Sequence, residues 1–363
     1  MTLRHFGIAL LAAAALLPLA GSCTKIEMAE ADSRVALDYS VALEKPYSLE
    51  QPQTKTPLTK AATAYDTNDK FKSYAWYLPN GKRWDNDKAD AQAYFENVTV
   101  EFQTDKWRGA DQRYYWPKEG SLSFWSYSPA SLATKGNINV TKDGVTLTGW
   151  TVDASTNQDI DFMVADFVSD RTTNVKTYGY QGVPTLFRHK LAKVTVNVST
   201  ASARSTTNDI KLYKVSFKNV YTTGSFTMTQ PTQDTKATES WIDRSTLQEI
   251  VIYENTNGLE LDLDAVNVTL NGKDLLAVPQ VLNADTNRGT GNPVKLCLEY
   301  SMNSTDHATA ERSLPGIKSQ LWGIGQHITY SVVFGEENEP IEFSGSVGDW
   351  ETGQSSDVYI GTE

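Results

Sequence analysis

Two pairs of alternate carboxylates, Asp159 with Asp161 and Asp262 with Asp264, are the residues of this chain whose types and spacing could most directly do chemistry. Residues two apart on a strand share a face, so each pair could present two acids together for glycoside hydrolysis or for a calcium ion. The same spacing arises on any strand with one solvated face. In Leu-Glu-Leu-Asp-Leu-Asp, residues 259–264, the leucines claim the opposite side. The four histidines form no HExxH motif, no paired ligand spacing and no local triad signature. His189, between Arg188 and Lys190, and His327, at the start of another strand, read as structural imidazoles. No catalytic residue, metal ligand or cofactor is expected.

The two cysteines divide by context. Cys297 alternates with Val294, Leu296 and Leu298 in a strand-like run and reads as a small buried apolar residue. Cys23 follows a different pattern. Residues 1–22 carry a basic start at Arg4, an apolar run from Ile8 to Ala20 and then small residues. A bilayer-spanning helix needs about 20 residues, so this shorter run reads as a cleaved export signal. Leu19-Ala20-Gly21-Ser22-Cys23 resembles a bacterial lipoprotein processing site, which would make Cys23 a lipidated N-terminus, with its leucine one place further from the cysteine than usual.

A third kind of chemistry is stacking. Ten of the 38 aromatic residues fall between Tyr94 and Tyr127. Trp107, Trp116 and Trp125 could form a platform for sugar rings; aromatic residues also suit strand cores on packing grounds. The net charge of −11 repels a polyanion, so nucleic acid is not an expected partner.

The elements that must position these residues are strands. Period-two alternation dominates, helical periodicity is scarce, and the fold class is all-β. The clearest strands are Arg34 to Leu43, Asn97 to Phe102, Leu191 to Val198 and His327 to Phe334. Asn80-Gly81 and Asn271-Gly272 suit tight hairpins, and Thr222-Thr223-Gly224 reads as a loop. The length fits two β-sandwich domains in tandem, here 61–183 and 184–363, after a signal (1–22) and a segment (23–60) holding the anchor, first strand and linker. In the first strand Val35, Leu37, Tyr39, Val41 and Leu43 share one face. The linker that follows, QPQTKTPLTKAATA, is basic, polar and soft. A trypsin-like protease could cut it after Lys60, before Ala61, releasing a strand whose slot another segment could fill by strand addition. A plain tether between anchor and domain is the alternative.

Three stretches then carry a resemblance. VEFQTDKWRGADQRYYWPKEGSLSFWSYSP, LFRHKLAKVTVNV and GIGQHITYSVVFGEENEPIEFSGSVGDWETG are similar to the fimbrillin-like family of Bacteroides-type bacteria, subunits of type V pili. The resemblance implies transthyretin-like β-sandwiches, lipoprotein export and polymerisation after proteolytic removal of the first strand. It implies other fimbrial subunits and an unidentified receptor as partners, and the outer membrane and cell surface as location. Lys60 stands where the family is cut, although an arginine-specific enzyme would need Arg. The C-terminal residues Ile341, Phe343, Val347, Val358 and Ile360 are the candidate donor segment. The expected function is a structural or adhesive fimbrial subunit; a monomeric glycan-binding surface lipoprotein is the alternative.

Overall fold

The structure is a computed structural model. It describes residues 34–350 apart from 45–61, 64, 135, 153–159, 174–181, 231–236, 270–271, 284–291, 316–319 and 337–338.

The protein is all-β, and among the described residues helix is confined to short turns such as Trp84–Asp87. Alternating apolar residues give the strands one or two buried faces, and long-range pairing then fixes their order. In the first unit, Ser121–Ser128, Phe71–Leu78, Gln92–Gln103, Lys106–Gly109, Tyr39–Glu44, Val183–His189 and Met163–Ala165 pair in that order. Met163–Ala165 also pairs with Ser121–Ser128, so this sheet closes on itself. Its interior holds Leu37, Tyr39, Phe71, Phe95, Val100, Leu122, Phe124 and Phe187.

Two larger sheets, with a small two-stranded one of Gln280–Val281 and Leu321–Trp322, form the second unit. One places Ala192–Thr200 parallel to Gln326–Phe334, with Glu342–Asp349 antiparallel beyond it. The other is built on a long hairpin, Ile210–Thr229 with Glu239–Glu260, and adds Lys295–Met302 and Ala308–Ser313. Val194, Val196 and Val198 from the first of these sheets meet Val215, Phe217 and Trp322 in one core.

The units share buried surface. Every residue of Ser121–Ser128 is buried: Leu122 and Phe124 point into the closed sheet, while Trp125 and Tyr127 join the larger core. The hairpin Asn137–Thr141 and Gly144–Thr151 pairs with Ile210–Thr229 of the second unit. Trp84 is buried, and its indole N–H donates to Gln230 Oε1 at 2.8 Å.

Several sequence expectations change here. The boundary at 183/184 falls at the start of Val183–His189, a strand that belongs to the closed sheet because it lies beside Tyr39–Glu44. Thr222-Thr223-Gly224 is no loop; it lies inside Ile210–Thr229, where the register shifts at a bulge. Asn80-Gly81 does turn the chain, with Gly81 at φ +81°, but into the helix Trp84–Asp87 rather than a hairpin. Asn271 lies outside the described residues.

Candidate functional site

The most informative site is the seat of the first strand. Alternation from residue 37 sends Leu37, Tyr39, Val41 and Leu43 inward. Leu37 and Tyr39 are 2% and 5% exposed, and Val41 and Leu43 are half-buried against the same core. Val35 departs from the expected comb. At 50% exposure it lies beyond the interior, because at this end the segment has passed the pockets that take Leu37 and Tyr39.

The strand is held on both edges. Along one, Tyr39 to Leu43 run parallel to Val183 to Phe187. Along the other, Tyr39 lies opposite Trp107 and Ala36 bridges to Tyr115. The Leu37 N–H donates to the Tyr114 carbonyl at 2.8 Å, and the Trp116 N–H donates to the Val35 carbonyl at 2.9 Å. The first strand is therefore the segment that joins Lys106–Gly109 to Val183–His189; without it the closed sheet has a gap one strand wide.

Side chains complete the seat. The Tyr39 ring meets Phe71 edge-on at 5.5 Å, and burial pushes its phenol well above the usual tyrosine range, offset in part by the Ser73 hydrogen bond. Tyr65 stacks on Phe187 at 5.1 Å, and its hydroxyl lies 2.6 Å from Ser128 Oγ. Gly182 has φ +87°, and a Cβ there would lie 2.3 Å from the Asp38 carbonyl oxygen. Glycine lets the neighbouring backbone approach the strand that closely. At about 1.5–3 kcal/mol for each fully buried large side chain, and half that for the partly buried ones, the strand's gross apolar burial is about 5–9 kcal/mol. That is similar to the net stability of a whole domain, about 5–15 kcal/mol.

The chain leaves this sheet at Glu44 and re-enters at Ala62, which is directly paired with Glu44; Leu43 is likewise paired with Thr63. The intervening segment thus starts and ends at one place. Cutting it would break the covalent link and leave every described contact of the strand intact. Lys60 and Ala61 themselves lie outside the described residues, as do Cys23, Val358 and Ile360.

Other sequence candidates resolve into packing. Trp107, Trp116 and Trp125 are 7%, 3% and 0% exposed, so the stacking platform is corrected. Trp107 packs on Tyr65 and Phe71, and Trp116 on Phe124, within the closed sheet; Trp125 packs on Phe167 outside it. Ile341, Phe343 and Val347 pack against the second unit's core, on or beside Glu342–Asp349, which pairs along Gln326–Phe334. These three donor candidates are already used within their own fold.

Asp161 Oδ2 lies 2.8 Å from His189 Nδ1, and the His189 ring stacks on Trp350 at 4.3 Å; Asp159 lies outside the described residues. Asp262 caps a turn through the Leu263 and Arg204 N–H groups, which hold its carboxyl below the usual range. Cys297 is buried, and burial pushes its thiol up to about 11. Among the described residues no three His, Cys, Asp or Glu side chains gather as a metal site, and no helix is long and apolar enough to cross a membrane.

Sequence reasoning missed Asp38. Its position sends it to the outer face, yet it is 7% exposed, with Arg108 Nε donating at 2.6 Å and Lys106 Nζ at 3.2 Å. An acid within an apolar comb, with two basic residues two apart in another strand, was the available signal.

A family model described as fimbrillin-like matches residues 59–350. A fimbrial protein from Bacteroides vulgatus superposes with a TM-score of 0.60 at 17% identity, over 87% of this chain and 99% of that one. A candidate cell adhesion protein from Bacteroides uniformis gives 0.50 at 18% identity, over 87% and 99%. At such identities the likeness is one of fold. No curated protein matches the chain.

Proposed function

The chain belongs to the fimbrillin-like family, and from that premise we propose that it is a non-enzymatic structural or adhesive subunit of a cell-surface fimbria. It is exported as a lipoprotein through Cys23 and joined to other subunits by exchange of its first strand. The family supports the fimbrial role. The single observation that carries the exchange is the gap left when residues 34–44 are removed: two unpaired strand edges, Lys106–Gly109 and Val183–His189, flanking pockets for Leu37 and Tyr39. An open, two-edged apolar slot demands an occupant, and strand addition supplies main-chain bonds and side-chain pockets together.

The soft segment between Glu44 and Ala62 is where a protease acts, after Lys60 in this reading. Because the segment's two ends are paired with each other, the cut strand stays seated until an incoming strand displaces it. The donor lies in the C-terminal residues beyond Trp350, including Val358 and Ile360. The domain organisation follows: an anchor and exchangeable strand, a first unit completed by that strand, and a second unit that ends in the donor. N-terminal sequencing of the protein recovered from cell-surface fibres tests this. A start at Ala61 supports it; a start at Cys23 throughout the fibre contradicts cleavage-driven exchange.

A further inference from the structure

The first strand's outward face carries an ion pair that its inward comb does not require. Resting on the strand-exchange reading, we infer that the slot selects an incoming strand bearing a carboxylate at the Asp38 position, read by Lys106 and Arg108. Asp38 belongs to the removable strand, whereas both cations stand on Lys106–Gly109, which remains with the body. The Arg108 contact is 2.6 Å and the Lys106 contact 3.2 Å, with 18% and 37% of the two cationic side chains exposed. Glu101 is opposite Arg108 in register, but its carboxylate is held by Lys70 at 2.5 Å.

The backbone fixes where the acid sits. The Val183 N–H donates to the Asp38 carbonyl at 2.8 Å, and Gly182 lets the two chains approach there. Any strand taking this slot in the same direction presents its own side chain to the same two cations. An amide or apolar group at that position leaves them facing a desolvated non-acceptor or a weak one, and a basic group repels them. Apolar pockets tolerate changes of size far better than a half-buried charge tolerates loss of its partner.

The selected pattern is acid, inward apolar, outward residue, inward apolar, as in Asp38-Tyr39-Ser40-Val41. Asp357-Val358-Tyr359-Ile360 of a second copy has the same order. In that register Asp357 meets Lys106 and Arg108, Val358 takes the Tyr39 pocket and Ile360 follows Val41.

The test uses the full chain cut once between residues 45 and 61 and challenged with labelled peptides. The peptides are 34–44, its Asp38→Asn form, 353–363 and its Asp357→Asn form. Each Asn form is expected to bind roughly ten- to a hundredfold more weakly than its parent, the range for hydrogen bonds to charged groups. In Arg108→Gln protein the gap between the Asp and Asn peptides should shrink to about threefold or less, because the coupled partner is gone; Lys106→Gln serves if that variant does not fold. Asp and Asn peptides binding equally to wild-type protein would overturn the carboxylate inference and leave exchange standing. Entry of no peptide at all into protein that is cut and still folded would overturn exchange itself.

Discussion

The Tyr39 hydroxyl donates to Ser73 Oγ at 3.1 Å, joining the first strand to Phe71–Leu78, with which it shares no backbone pairing. Ser126 Oγ donates to the same serine oxygen at 3.1 Å, so Ser73 keeps a partner when the phenol is lost. Tyr39→Phe should therefore cost only about 1 kcal/mol. Tyr39→Ala, which empties a pocket lined by Phe71 and Phe124, should cost about 3–5 kcal/mol. Chemical denaturation monitored on the closed sheet checks both values, and equal losses would contradict the pocket's importance.

Gly182→Ala should loosen the same strand from its other edge. Its φ of +87° and the 2.3 Å approach to the Asp38 carbonyl leave a methyl group no room without moving backbone. The Val183 N–H, which donates to that carbonyl, should lose hydrogen-exchange protection, while the amides of Gln326–Phe334 keep theirs. A uniform loss across both units would show global destabilisation instead.

Burial also sets what tryptophan substitutions do. Trp116→Ala and Trp125→Ala remove side chains that are 3% and 0% exposed, and each should destabilise the fold by about 3–5 kcal/mol. Thermal melting measures this directly. Variants that melt like the parent but lose affinity for a glycan would restore the platform reading.

Cys297 should resist alkylation in the native state at pH 8 and react fully in denaturant. Burial, followed by the nearby Glu311 carboxylate, raises its thiol to about 11, against about 8.5 in an unfolded chain. A group held neutral in this way favours the folded state below about pH 8.5, and that contribution is lost as pH rises towards 11. Iodoacetamide labelling followed by mass spectrometry provides the check; rapid native labelling would contradict the burial.

How much of this was legible in the sequence differs between strand and seat. Alternation located the strands at Leu191 to Val198 and His327 to Phe334, observed as Ala192–Thr200 and Gln326–Phe334, because each has one strongly apolar face. It also marked Leu37 and Tyr39 as inward. What alternation lacks is neighbour identity. Nothing local to Val183–His189 says that it lies parallel to residues more than a hundred positions earlier, and nothing local to Gly144–Thr151 says that it pairs with Ile210–Thr229. Val35 satisfied the period but lies past the core's edge, and alternation left open whether Trp125 serves a sugar platform or a core, which the larger core decides by covering it. Asp38 was hidden for the converse reason: an outward acid reads as solvated until two cations on a distant strand close over it.

The central claim is that the first strand occupies a slot another subunit can fill, and one measurement addresses it most directly. Lipid-free full-length chain, cut once between residues 45 and 61 and incubated at high concentration, should lose the 34–44 segment from the folded body. It should also form ladders that survive SDS without boiling. Uncut chain under the same conditions should remain monomeric. Cut chain that stays monomeric, with the 34–44 segment still bound or with the slot open and unfilled, would contradict the account.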